Sequence, residues 1–142
     1  MKAKVVGYWI STVAIALVML SGGVMEVMRS PAATAGITHL GYPVHFSVLL
    51  GVWKIVGATV ILLPGLALAK EWAYAGIFID LTGASVAHAA VGDGAGNIIA
   101  PLVFAAILVA SWALRPASRT EVRLGSMQDE LAGLHNKGLE RA

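Results

Sequence analysis

The sequence predicts an all-α fold, a polytopic membrane protein built as a bundle of four transmembrane helices with a short amphipathic C-terminal tail. Three observations predict it. Hydrophobic residues make up 58% of the 142 and charged residues only 13%, against about 25% charged in an ordinary soluble domain, so polar surface is too scarce to cover a soluble core. Five of the ten Lys and Arg residues (Arg115, Arg119, Arg123, Lys137 and Arg141) follow the last apolar stretch, which leaves the apolar mass ahead of them. Within that mass, four segments come close to the length, about 20 residues, that a helix needs to cross a hydrocarbon core about 30 Å thick.

The first span covers residues 6–28. Lys2 and Lys4 ahead of it and Ser21-Gly22-Gly23 within it also fit a cleaved signal peptide. The apolar run, however, continues through Val24, Met25, Val27 and Met28, and three more spans follow, so an uncleaved helix is expected. Ser30-Pro31 reads as a break, because proline disfavours helical geometry in the residue before it. The second span covers 44–63, entered through Gly41-Tyr42-Pro43 and ended by Pro64-Gly65. The third covers 72–91, after Lys70-Glu71, and stops at Gly92-Asp93-Gly94. The fourth, 97–114, is short and carries Pro101 in its first turns, where a missing N–H costs little. The Gly-rich stretch before it follows a membrane helix rather than a βαβ strand, so it reads as a tight turn capped by Asn97 and not as a nucleotide cradle.

Residues 1–116 thus form one membrane domain and residues 117–142 a polar cytoplasmic tail. In the tail, Leu124, Met127, Leu131 and Leu134 recur at helical spacing, and Gly125 and Gly133 weaken the helix to a frayed or interfacial one. Orientation follows from the basic residues, which are retained on the cytoplasmic side. Lys2, Lys4, Lys70 and the 115–123 stretch share one side of a four-span chain, whereas the other side has only Arg29. Both termini are therefore expected in the cytoplasm, with the chain in the inner (plasma) membrane. Trp9, Trp72 and Trp112 fall at the cytoplasmic helix ends, as an aromatic belt requires.

Composition also excludes functions. The basic excess flanks membrane spans and forms no stripe with interleaved aromatics, so no nucleic-acid partner is expected. The chain has no cysteine, which removes disulfides, thiolate metal sites and an internal dithiol relay.

Ionisable residues inside spans are expensive and are normally paired or functional. Lys54 and Asp80 lie near the middle of consecutive antiparallel spans, so a pair is expected, either as a structural ion pair or as a proton relay or head-group clamp. Glu26 and His88 lie nearer the outer helix ends, where a second polar layer can form between them. Gly76, Asp80, Ala84 and His88 share one helix face, which would join the layers into a polar column. Any affinity through His88 should vary between about pH 5 and 8. Glu26, His39, His45 and His88 offer metal ligands, but no His-x-x-His or Glu-x-x-His spacing occurs and no metal site is expected; His39 and His45 read as solvated loop residues.

Together, Ser21-Gly22-Gly23, Leu40-Gly41-Tyr42-Pro43, Gly51-x-x-Lys54-x-x-Gly57-Ala58 and Leu62-Leu63-Pro64-Gly65 resemble the DoxX-like family of small membrane proteins. Lys70-Glu71-Trp72-Ala73-Tyr74-Ala75-Gly76, Asp80-Leu81-x-Gly83-Ala84, His88 and Gly92-Asp93 continue the likeness, which covers about residues 5–116. The resemblance implies a four-helix membrane bundle and, through some relatives, an association with quinone-linked thiosulfate or thiol oxidation. By motif it carries only Lys54, Asp80 and His88 to this chain. The leading expectation is a non-catalytic membrane subunit, or a binder of a small lipophilic molecule such as a quinone, through Lys54, Asp80, Glu26 and His88. The alternative is the membrane component of a quinone-linked oxidoreductase, and the third reading a small transporter working as an oligomer. No catalytic residue is assigned. The expected partners are the lipid bilayer, the lipophilic molecule, and a protein partner or further copies of the chain.

Overall fold

A computed structural model describes residues 2–116 of the chain. Among the described residues there are five helices and no strand: α1 (Lys2–Val27), α2 (Pro31–His39), α3 (Val44–Leu62), α4 (Ala67–Ala90) and α5 (Ala95–Ala113). The expected amphipathic tail, 117–142, lies outside the described residues.

Local chemistry sets the helix ends. After α1, Arg29 takes a left-handed φ of 51° and the Ser30 N–H returns to the Met25 carbonyl at 2.9 Å, the closure that satisfies orphan carbonyls at a C-terminus. Gly41 and Gly92 close α2 and α4 in the same way, with positive φ that glycine adopts without strain. At the end of α3, Leu63 is extended ahead of Pro64.

The structure departs from the sequence expectation at four places. Ser30-Pro31 starts a helix instead of merely ending one, because Ser30 Oγ accepts from the Ala33 N–H at 3.2 Å and Pro31 occupies the first turn, where its missing N–H leaves no bond unmade. The third long helix starts at Ala67, not at Trp72, so Lys70 and Glu71 belong to its first turns. Asn97 lies inside α5, whose N-cap is Gly94 with no side-chain cap bond. Pro101, expected in the first turns where a missing N–H costs little, is the seventh residue of α5, past the first four N–H groups that a helix leaves unpaired, so the Asn97 carbonyl lacks its helical partner.

The four long helices touch in a closed cycle, α1 against α3 and α5, and α4 against α3 and α5, while α2 rests on α1 and α3. Ile15, Ala16 and Met19 of α1, Ala58 and Ile61 of α3, Tyr74, Ile77 and Leu81 of α4, and Ala105 and Leu108 of α5 make the core. Outward positions are also apolar: Ile10, Trp53, Ile79 and Val86 are each more than 60% exposed, a surface suited to acyl chains and not to water. Three helices, α1, α3 and α5, are long and apolar enough to cross a membrane. The expectation of four such spans is thus met in part, since α4, at 24 residues, is long enough but carries Lys70, Glu71 and Asp80. Helices of this kind place the chain in a membrane, in contact with the lipid bilayer.

Candidate functional site

A close approach of α1 and α3 at two glycines creates the candidate site. A Cβ on Gly51 would stand 2.6 Å from the Gly23 carbonyl oxygen and 2.8 Å from Glu26 Cβ; only glycine permits α1 and α3 to touch there. That contact sets Glu26 beside Lys54, one turn further along α3. The Lys54 ammonium donates to Glu26 Oε1 at 2.6 Å and stands 3.8 Å from Asp80 Oδ2 of α4, beyond hydrogen-bond reach. Each of these side chains is only 14–16% exposed.

Between α3 and α4, a groove of about 540 Å³ reaches this cluster. Lys54 and Asp80 form its polar floor, Leu50, Val56, Val60 and Ile77 its walls, and Trp53 and Trp72 also line it. Gly76 opens the space, since nothing lies within 4 Å of where its Cβ would be. The volume falls within the range of small-molecule pockets, and an apolar lining with a few convergent polar groups is their usual make-up.

His88 and Glu26, expected to form one outer layer, do not meet. Glu26 joins the Lys54 cluster. The His88 Nδ1 is instead hydrogen-bonded to Asp93 Oδ2 at 2.6 Å, and His39 Nε2 pairs with Asp93 Oδ1 at 2.8 Å. Asp93 therefore clips α4 to the end of α2, and no hydrogen bond or ion pair among the described residues links His88 to Glu26, Lys54 or Asp80. The bond to His88, and after it the bond to His39, holds the Asp93 carboxyl below the usual carboxylate range. His39, expected to be a solvated loop residue, is a partner in this clip, although its side chain remains 55% exposed. Among the described residues, no group of three or more His, Asp or Glu side chains is placed to hold a metal ion.

At the opposite end of the bundle the structure assembles a polar hub that sequence reasoning did not name. Thr12 Oγ1 and Ser111 Oγ are 2.6 Å apart, Ser111 Oγ and the Tyr74 hydroxyl 2.8 Å, and Lys70 is wholly buried nearby in α4. The Arg115 guanidinium donates to Glu71 at 2.5 Å and lies 5.0 Å from the Tyr74 ring centroid, and Trp112 Nε1 donates to the same carboxylate at 2.9 Å. The available signal was the hydroxyls of Ser11-Thr12 and Ser111 in otherwise apolar runs, together with Glu71 and Arg115 on the same expected side.

A model of the DoxX-like family matches residues 10–111, a stretch that includes Glu26, Lys54, Asp80, His88 and Asp93. The chain belongs to the DoxX-like family. No curated protein and no solved structure matches it.

Proposed function

We propose that this DoxX-like membrane protein holds a small lipophilic, quinone-like molecule in the groove between α3 and α4, with Lys54 and Asp80 as its polar anchor. In this reading all four long helices span the inner membrane and both termini face the cytoplasm. The observation that carries it is the groove itself, about 540 Å³ with apolar walls and an ionisable floor, built where an intramembrane charge is otherwise costly. Lys54 keeps N–H donors beyond the one given to Glu26 and can offer one to a ligand carbonyl. Glu26 holds that ammonium in place. His88, clipped to Asp93, secures the end of α4 and does not touch the ligand.

Gly76→Leu tests the reading, because the new side chain enters the groove without meeting other atoms at its Cβ and leucine favours the helix by about 0.8 kcal/mol over glycine. The expected result, read by titrating a decyl-benzoquinone into protein held in nanodiscs, is at least about a tenfold loss of affinity with no drop in unfolding temperature. Equal affinity in both proteins, or none in the native one, rules the groove out as a quinone site.

A further inference from the structure

We infer that the same groove binds a lipophilic cation, such as a quaternary phosphonium or ammonium, with its charge against the Asp80 carboxylate. The inference rests on the groove being a ligand site and adds a ligand class to it. Charge counting leads there. The cluster holds one cationic side chain, Lys54, against two carboxylates, Glu26 and Asp80. Glu26 has the lysine at 2.6 Å; Asp80, at 3.8 Å, accepts no hydrogen bond among the described residues. With both carboxylates ionised, one negative charge is left over, and Asp80, the more distant partner of the lysine, places it at the floor of the groove.

Among the described residues no second cation stands against it. Asp80 faces Lys54 of α3 and Glu26 of α1, α5 has no ionisable side chain, and His88 on the same helix is engaged with Asp93. Glu26 Oε2 is buried without a hydrogen-bond partner among the described residues, so Lys54 can turn fully onto Glu26 when a second cation arrives. A metal ion would need several oxygen ligands, whereas here one carboxylate stands among apolar walls. A large organic cation needs less. Its charge is cheaper to strip of water than a compact one, its substituents fill the apolar groove, and the Trp53 and Trp72 rings at the lining can attract it.

The test compares two probes of nearly equal shape, methyltriphenylphosphonium and the neutral triphenylphosphine oxide, by calorimetric titration into protein in nanodiscs with empty discs as blank. The native protein is expected to prefer the phosphonium by about tenfold or more. Asp80→Asn should abolish that preference and leave oxide binding in place, while Asp80→Glu should keep part of it. Lowering the pH should erode the preference in the native protein, because a protonated carboxyl offers no charge; this readout needs no variant to fold. Equal affinities for the two probes, or a preference that survives Asp80→Asn, overturns the inference even if the decyl-benzoquinone binds. If Gly76→Leu changes neither probe nor the quinone, the groove reading itself falls, and acyl chains of the bilayer are its occupant.

Discussion

Lys54 is the residue on which the interior depends most, because two carboxylates share it. Lys54→Met abandons both, and breaking a buried pair by removing one partner costs about 3–5 kcal/mol unless a proton is taken up instead. A lower unfolding temperature in detergent is therefore expected. In double-mutant cycles, the coupling of Lys54 to Glu26, at 2.6 Å, should exceed that to Asp80, at 3.8 Å; additive losses in both cycles would show that the cluster does not act as a unit. Lys54 and Asp80 were legible in the sequence, since ionisable residues in apolar runs announce themselves. The partner of Glu26 was not legible. Counting residues from helix ends gives depth, but the Gly23–Gly51 approach decides which side chains meet. Asp93 was likewise read as turn punctuation, because nothing local shows that His39, 54 residues away, returns to it. Its depressed pKa makes a pH prediction. A carboxylate held below its ordinary value adds stability that is fully present above about pH 4 and is lost as pH falls through the folded value. The melting-temperature gap between native protein and Asp93→Asn should thus be present at about pH 5 and should close under more acid conditions. A gap that widens in acid contradicts the clip.

At the scale of elements, glycine positions decide how the helices meet. Gly51→Ala would set a methyl group 2.6 Å from the Gly23 carbonyl and 2.8 Å from Glu26 Cβ, so α1 and α3 must separate. Overpacking of this kind costs about 1–3 kcal/mol, and here it also draws Glu26 off Lys54. The expected result is a lower unfolding temperature together with weaker binding in the groove; unchanged values for both would mean that the two helices are not held together at this point. In the sequence both Gly51 and its mate Gly23 stand out only as parts of stretches shared with the family, and nothing there sets one against the other. The missed element, α2, has a physical reason. Nine residues with Gly36 and two threonines make a poor helix by propensity, and the Ser30 cap, Pro31 and packing on α1 and α3 sustain it. Ser30→Ala should cost about 1 kcal/mol.

For the whole molecule, the number of spans turns on α4. Its 24 residues rise about 36 Å, enough to cross, and it packs between α3 and α5 to complete the cycle of long helices. Of its ionisable residues, Lys70 is buried, Asp80 faces Lys54, and Glu71, half exposed near the start of the helix, holds Arg115 and Trp112. Its outward residues Phe78, Ile79 and Val86 are apolar. A helix whose ionisable side chains face the bundle interior or lie near its end can cross although its composition alone falls short. Four crossings place both termini on one face of the membrane, and three place them on opposite faces. In the proposed four-span reading the basic residues Lys2, Lys4, Lys70 and Arg115 lie at one end and Arg29 alone at the other, and the retention of basic residues predicts that the first face is cytoplasmic. Because the chain has no cysteine, single cysteines report their side without background. We expect Ala35→Cys and Gly94→Cys to react with an impermeant maleimide on intact cells, and Leu63→Cys and Ala142→Cys to react only after lysis. Labelling of Ala142→Cys on intact cells, with Ala35→Cys also labelled, would mean that α4 does not cross, and the groove it forms with α3 would then have to open somewhere other than the bilayer interior.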